Sequence, residues 1–167
     1  MPEGGRREVG LSHIDDQGRA KMVDVGGKEV TKRVARAGAR VRVSPRTMSL
    51  LMERAMPKGD VLATARVAGI VGAKRTSELV PLCHPLPLDQ VEIEFGVDPG
   101  AGVIEVECTA RTQARTGVEM EAITGAAVAA ITIYDMCKAV DKGIVIDAVR
   151  LLEKTGGKEP YRREEGR

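Results

Sequence analysis

VEIEFGVDPGAGVIEVECTA, residues 91–110, decides the fold. Val91, Ile93, Phe95 and Val97 alternate with Glu92 and Glu94. After DPGAG the same period returns, with Ile104, Val106, Cys108 and Ala110 set against Glu105 and Glu107. A period of two with one apolar parity describes a half-buried strand. The connection is too short for a crossover, so the two strands form an antiparallel hairpin. Their apolar face needs a covering layer, and Cys108 falls on that face as a core residue.

Upstream, RAKMVDVGGKEVTKRVARAGARVRV (19–43) reads as a short strand, a Gly-Gly turn and a longer strand. From residue 35 the longer strand places Ala35, Ala37, Ala39, Val41 and Val43 opposite Arg36, Arg40 and Arg42. Val30 and Val34 have the other parity, which predicts a bulge or bend near Gly38. Ser44 and Pro45 supply an N-cap and a first helical residue, so a helix should run to Met56 and stop before Pro57. Asp60 caps a second helix that ends before Pro81. Downstream, GVEMEAITGAAVAAITIYDMCKAVDK (117–142) is the longest helical segment, with Ala122, Ala126 and Ala130 forming a smooth stripe for close packing. GIVIDAVRLLEK (143–154) is a last strand. The sum is α+β: a mainly antiparallel sheet with helices packed on one face, one domain over residues 11–158, and flexible tails at 1–10 and 159–167.

The balance of charges narrows the function. The chain carries 26 basic and 24 acidic residues and only 2% aromatics, which suits neither a general nucleic-acid binder nor base stacking. No apolar run reads as long enough to span a bilayer, no signal peptide is evident, and three cysteines lack CxxC spacing; a reducing cytoplasm is expected. One run, Lys32 to Arg46, has six cations and no acid. It is either a solvated basic face or a site for a nucleotide phosphate.

Four segments carry possible chemistry. VPLCHPLPLD (80–89) presents Cys83 and His84 on a backbone stiffened by Pro81, Pro85 and Pro87. Metal ligation by this pair with His13, Cys108 or Cys137 lacks the close ligand pairs of structural zinc sites, so no metal is expected. Asp135 and Lys138 lie three apart on one helix face and can act as an acid–base pair, and their apolar neighbours predict partial burial that would shift their titration. Glu119 and Glu121 open the same helix; Glu121 and Asp135 are roughly 21 Å apart at 1.5 Å per residue, so one pocket uses both only if a second subunit completes it. Lys58 stands in a loop before a helix, and Lys154 and Lys158 flank glycines whose amides suit phosphate oxygens, although the P-loop spacing is absent.

SHIDDQGRAKMVDVGGK, KGDVLATARVAGIVGAKRTSELVPLCHPL, GVEMEAITGAAVAAITIYDMCKAVDK and LLEKTGGK, in this order over residues 11–158, together resemble the molybdenum cofactor biosynthesis protein C family, the cyclic pyranopterin monophosphate synthases. The resemblance implies a ferredoxin-like fold, a homohexamer built as a trimer of dimers, and sites at subunit interfaces. It implies a lyase that converts 3′,8-cyclo-7,8-dihydroguanosine 5′-triphosphate to cyclic pyranopterin monophosphate and pyrophosphate. By the same resemblance Asp135, Lys138 and Lys58 are catalytic. Leu82, Cys83, His84, Met120 and Glu121, with Glu119 beside them, bind substrate, and Arg33, Lys154 and Lys158 hold phosphates. No cofactor is expected, and the sequence is silent on magnesium with the triphosphate. Two rivals are a nucleotide-sensing module, which would not need the Asp135–Lys138–Lys58 set, and a metal-dependent phosphohydrolase.

Overall fold

Alternation builds the centre of the molecule. In the computed structural model, which describes residues 14, 15 and 17–164, strand β1 (Thr31–Arg42) turns Ala35, Ala37, Ala39 and Val41 into the core, each at most 1% exposed. Strand β3 (Val103–Ala114) runs antiparallel beside it without interruption, from Thr31 opposite Ala114 to Arg42 opposite Val103. Strand β2 (Gln90–Asp98) pairs with β3, which confirms the hairpin of residues 91–110. Strand β4 (Val145–Thr155) takes the other side of β1, and β5 (Tyr161–Arg162) adds two residues beyond it. The five strands are antiparallel throughout, in the order β2-β3-β1-β4-β5.

Helices α1 (Pro45–Met52), α2 (Val61–Lys74), α3 (Thr76–Leu79) and α4 (Glu119–Cys137) complete the single α+β domain, which is ferredoxin-like. The Ala-rich stripe does what its spacing promised: Ala122, Ala126 and Ala130 are fully buried where α4 crosses β1 and β3. Alanines leave only a thin gap between helix and sheet, and dispersion across that gap replaces the bulk of an aromatic core. The α2–α4 crossing is tighter still. A Cβ on Gly125 would stand 2.6 Å from the Cys108 sulfur, and one on Gly69 would stand 2.9 Å from the Gly125 carbonyl oxygen. Both N-caps are as expected, with Thr47 N–H donating to Ser44 Oγ and Ala63 N–H to Asp60 Oδ1.

Several expectations need correction. The short strand before Gly26 does not form; Ile14 and Ala20 make an isolated bridge around a turn in which Asp15 accepts from the N–H groups of Gln17 and Arg19. The irregularity near Gly38 lies in β4 rather than β1, with register shifts opposite Arg36/Ala37 and Gly38/Arg40 and Ala148 at φ 53°. Val34 keeps its other parity simply by facing away from the helices. Helix α1 stops at Met52, where Arg54 adopts φ 55°, and the second helical segment breaks at Arg75 into α2 and α3. The tail expected at 159–167 contributes β5, while the one expected at 1–10 lies outside the described residues, as does His13. One helix, α4, is long and apolar enough to cross a membrane by length and composition, contrary to the sequence reading. Here its non-polar residues serve the core: eight of them, together with Glu121, are buried against the sheet and α2.

Candidate active site

The two ends of α4 carry the two halves of the expected site. At its C-terminal end, Asp135 accepts from Lys58 Nζ at 2.8 Å through Oδ2 and from Lys138 Nζ at 2.7 Å through Oδ1. Lys58 also donates to the Asp135 carbonyl at 2.9 Å. Lys138 reaches Asp135 because i and i+3 share a face; Lys58 reaches it because the loop between α1 and α2 passes the end of α4. The sequence predicted partial burial for this cluster, and the structure differs: Asp135 is 51% exposed. Its carboxyl is held down to about 2 by the hydrogen bonds from Lys138 and Lys58, which outweigh a smaller opposing push from desolvation, and Lys138 is raised in return. A carboxylate fixed in the ionised state between two ammonium groups is an electrostatic centre that can also relay a proton to or from a lysine.

The N-terminal end is built differently. Glu121 is 5% exposed, and burial pushes its carboxyl above the ordinary range, with the charge of Glu119 acting in the same direction. Glu119 folds over Gly117, where a Cβ would collide with its carboxylate, and pairs with Lys154 at 3.0 Å. Met120 between them is exposed. The proline-stiffened loop packs close by: Cys83 is half-buried, and burial first and the Glu121 charge second raise its thiol. Leu82 and His84 are half-buried beside it. His84 Nε2 lies 2.8 Å from the Val23 carbonyl, so the ring ties the loop to the segment before β1.

Next to Glu119 opens a cavity of about 750 Å³ with Arg33, Lys154 and Lys158 on its walls. Gly156 and Gly157 have φ of 85° and 81°, and side chains there would strike the Lys32 carbonyl and the Arg33 guanidinium. The glycines let the backbone close around Arg33, whose Nε donates to the Ala114 carbonyl at 3.3 Å. Sequence reasoning passed over two further cations on the walls, Lys28 and Arg115. Arg115 donates to the Lys28 carbonyl at 3.2 Å. Each stands within two residues of a glycine at the end of a strand or turn, which was the available signal. Five cations face three carboxylates here, a field suited to a polyanion.

The basic run 32–46 divides accordingly. Arg33 faces the cavity, but Arg36 is bound by Glu107 and Glu153, Arg40 by Glu105, and Arg42 by Asp147 on the outer face of the sheet. Those three are neutralised, so the run is not a continuous phosphate site.

Fold and site describe a small α+β protein whose Lys–Asp–Lys ion-pair cluster and cationic cavity sit at opposite ends of one helix. The chain belongs to the MoaC family, whose model matches residues 22–157. It is similar to proteins named cyclic pyranopterin monophosphate synthase. That of Herpetosiphon aurantiacus is 58% identical over 147 residues, covering 88% of this chain and 90% of the relative. That of Streptomyces avermitilis is 59% identical over 148 residues, covering 89% and 86%. That of Pelobacter propionicus is 54% identical over 159 residues, covering 95% and 99%.

Proposed function

We propose that this protein is a cyclic pyranopterin monophosphate synthase, a lyase of molybdenum cofactor biosynthesis acting on 3′,8-cyclo-7,8-dihydroguanosine 5′-triphosphate. The observation that carries the reading is the Lys58–Asp135–Lys138 cluster, which a mere nucleotide sensor would not need. Rearranging the purine–ribose skeleton moves several protons, and closing a cyclic phosphate expels pyrophosphate. In this reading Asp135, Lys58 and Lys138 serve the proton transfers. Leu82, Cys83, His84, Met120, Glu119 and Glu121 bind the base and sugar, and Arg33, Lys154 and Lys158 cradle the phosphates. No resident cofactor is invoked. The three free cysteines suit a reducing cytoplasm.

The reading also requires more than one copy. Glu121 and Asp135 are separated by most of α4, yet a substrate of this size needs both ends. The outward stripe of α4 supplies a remedy: Met120 and Ile131 are exposed and apolar, with small Ala127 between them, and Val67 and Val71 continue the patch on α2. A two-fold contact pairing two α4 helices antiparallel, crossing near Ala127, brings Glu121 of one copy toward Asp135 of the other. Such dimers, three to a particle, make the homohexamer that the family resemblance implies.

The test is pyrophosphate release with pterin fluorescence after oxidation, on wild type, Asp135→Asn, Glu121→Ala and a mixture of the two variants refolded together. Turnover by the wild type, loss in each variant and partial recovery in the mixture are expected. Binding without either product would make the chain a sensor, and a mixture as dead as its parts would refute the shared site.

A further inference from the structure

The loop after α4 holds a carboxylate that the proposed reaction does not use. Asp141 Oδ2 accepts from Ser44 N–H at 2.8 Å and from Thr47 Oγ1 at 3.2 Å, and its Oδ1 accepts from Gly143 N–H at 2.9 Å. Ser44 and Thr47 are the N-cap and first turn of α1, and that turn has no acidic residue of its own. Asp141 therefore supplies, from the far end of the chain, the negative charge that the start of α1 lacks. Thr47 is fully buried, so its hydroxyl depends on this bond and on Ser44 Oγ.

The two elements joined here lead directly to the acid–base cluster. On one side Asp141 lies three residues after Lys138, and its N–H donates to the Cys137 carbonyl at the last residue of α4. On the other, α1 runs eight residues into the loop that delivers Lys58 to Asp135. Thus the α1 segment is fastened to the end of α4 at both of its ends, at the start by Asp141 and beyond its finish by Lys58. Lys58 has no other side-chain partner among the described residues that would hold it there. We infer that Asp141 is a positioning residue: by fixing the start of α1 against the α4–β4 loop, it sets where Lys58 meets Asp135. The inference rests on Asp135 and Lys58 being the acid–base groups of the reaction, but its geometric core does not.

Asp141→Asn is the mild variant, Thr47→Val removes one of the same bonds from the other side without changing side-chain volume much, and Asp98→Asn is the control. Asp98 makes an equivalent carboxylate-to-backbone bond, to Ala101 N–H, in the distant β2–β3 turn. Two readouts are needed. The first is kcat and KM separately: a displaced Lys58 lowers kcat roughly 10- to 100-fold while KM stays within about twofold. The second is the ¹³C titration of the Asp135 carboxyl, assigned by its absence in Asp135→Asn. With Lys58 loosened, less positive charge faces Asp135, and its midpoint rises from about 2 in both latch variants but not in Asp98→Asn. If the variants lose thermal stability while the Asp135 midpoint stays in place, Asp141 is only a helix cap and the inference is wrong. A wild type with no turnover would remove the functional reading, yet the titration would still decide the latch.

Discussion

The two ends of α4 treat a carboxylic acid in opposite ways. Asp135 stands half in solvent, gripped by two lysines, and stays ionised down to about pH 2. Glu121, in the first turn, has almost no solvent and no lysine bridge, and its carboxyl is pushed up. One helix thus presents a base-strength extreme at each end, set by environment and not by residue type. Separated titrations of this kind mark a division between a group that remains charged and one that keeps its proton to higher pH. The helix keeps them apart within a chain, and a two-fold pairing would bring them together between chains.

The largest expected effect tests the charged end. Asp135→Asn keeps the size of the side chain and removes its charge, leaving Lys58 and Lys138 to repel each other. Turnover should fall about 10²- to 10⁴-fold with unchanged circular dichroism, the range for losing a positioned acid–base group. Near-normal turnover would leave the cluster a surface ion pair. Its linkage to stability has a definite sign. The folded carboxyl is depressed below 3.8, so the stabilisation it brings is present above that value and fades as pH falls toward 2. Acid unfolding curves of wild type and variant should therefore converge at the acid end.

Glu121→Gln tests the buried end and should cost less, because Gln imitates the protonated acid. The pH profile separates the two carboxylates. Asp135 is ionised well below the working range, so a fall in kcat/KM as pH climbs above 4.5 reports loss of the Glu121 proton and should vanish in Glu121→Gln. Stability has the opposite sign to Asp135: the raised folded value means stability is lost as pH climbs from 4.5 through the folded midpoint. The Gln variant should not show that loss. A limb that survives would assign it elsewhere and blur the contrast between the ends.

Much of this was legible before the structure. The β2–β3 hairpin, both N-caps and the buried alanine stripe follow from periodicities of 2 and 3.6 and from cap chemistry, which are local. The ion-pair ladder was not, because Arg36, Arg40 and Arg42 meet Glu107, Glu105 and Asp147 only through strand register between distant segments. For the same reason burial of Asp135 was misjudged: apolar neighbours in sequence, Met136 and Cys137, turn into the core while Asp135 turns out. Lys28 and Arg115 escaped notice because the cavity wall is assembled from three separate stretches of chain. The cluster residues themselves were recognised through the family resemblance, since DxxK alone is an ordinary surface pair.

Between the two ends, the middle of α4 fixes their spacing through its contact with α2. Gly125→Ala places a methyl group 2.6 Å from Cys108 Sγ and 3.3 Å from the Ala73 Cβ. The sheet and α2 cannot both yield, so about 1–3 kcal/mol of stability should be lost. Denaturant unfolding measures this directly. If the comparison of the ends is right, the surviving folded protein also loses some turnover, because tilting α4 shifts both carboxylates at once. A variant that is destabilised yet fully active would show that the ends tolerate displacement.

The smallest effect belongs to the outer face of the sheet, which sharpens the contrast by exclusion. Arg42 pairs with Asp147 at 2.8 Å, and both are substantially exposed. Exposed pairs of this kind contribute about 0–1 kcal/mol, because solvent screens the attraction and ordering two long side chains offsets it. Arg42→Gln should therefore change stability by less than about 1 kcal/mol and turnover hardly at all. Arg33 is in the same strand, nine residues earlier, but faces the cavity beside Gly156 and Gly157. Arg33→Gln should raise the KM for the triphosphate while leaving the fold alone. The pair of arginines, one spent on a carboxylate and one facing open space, then separates the two readings of the basic run. Equal kinetic effects from both would mean that the outer face also handles substrate, and that the division of labour along α4 is incomplete.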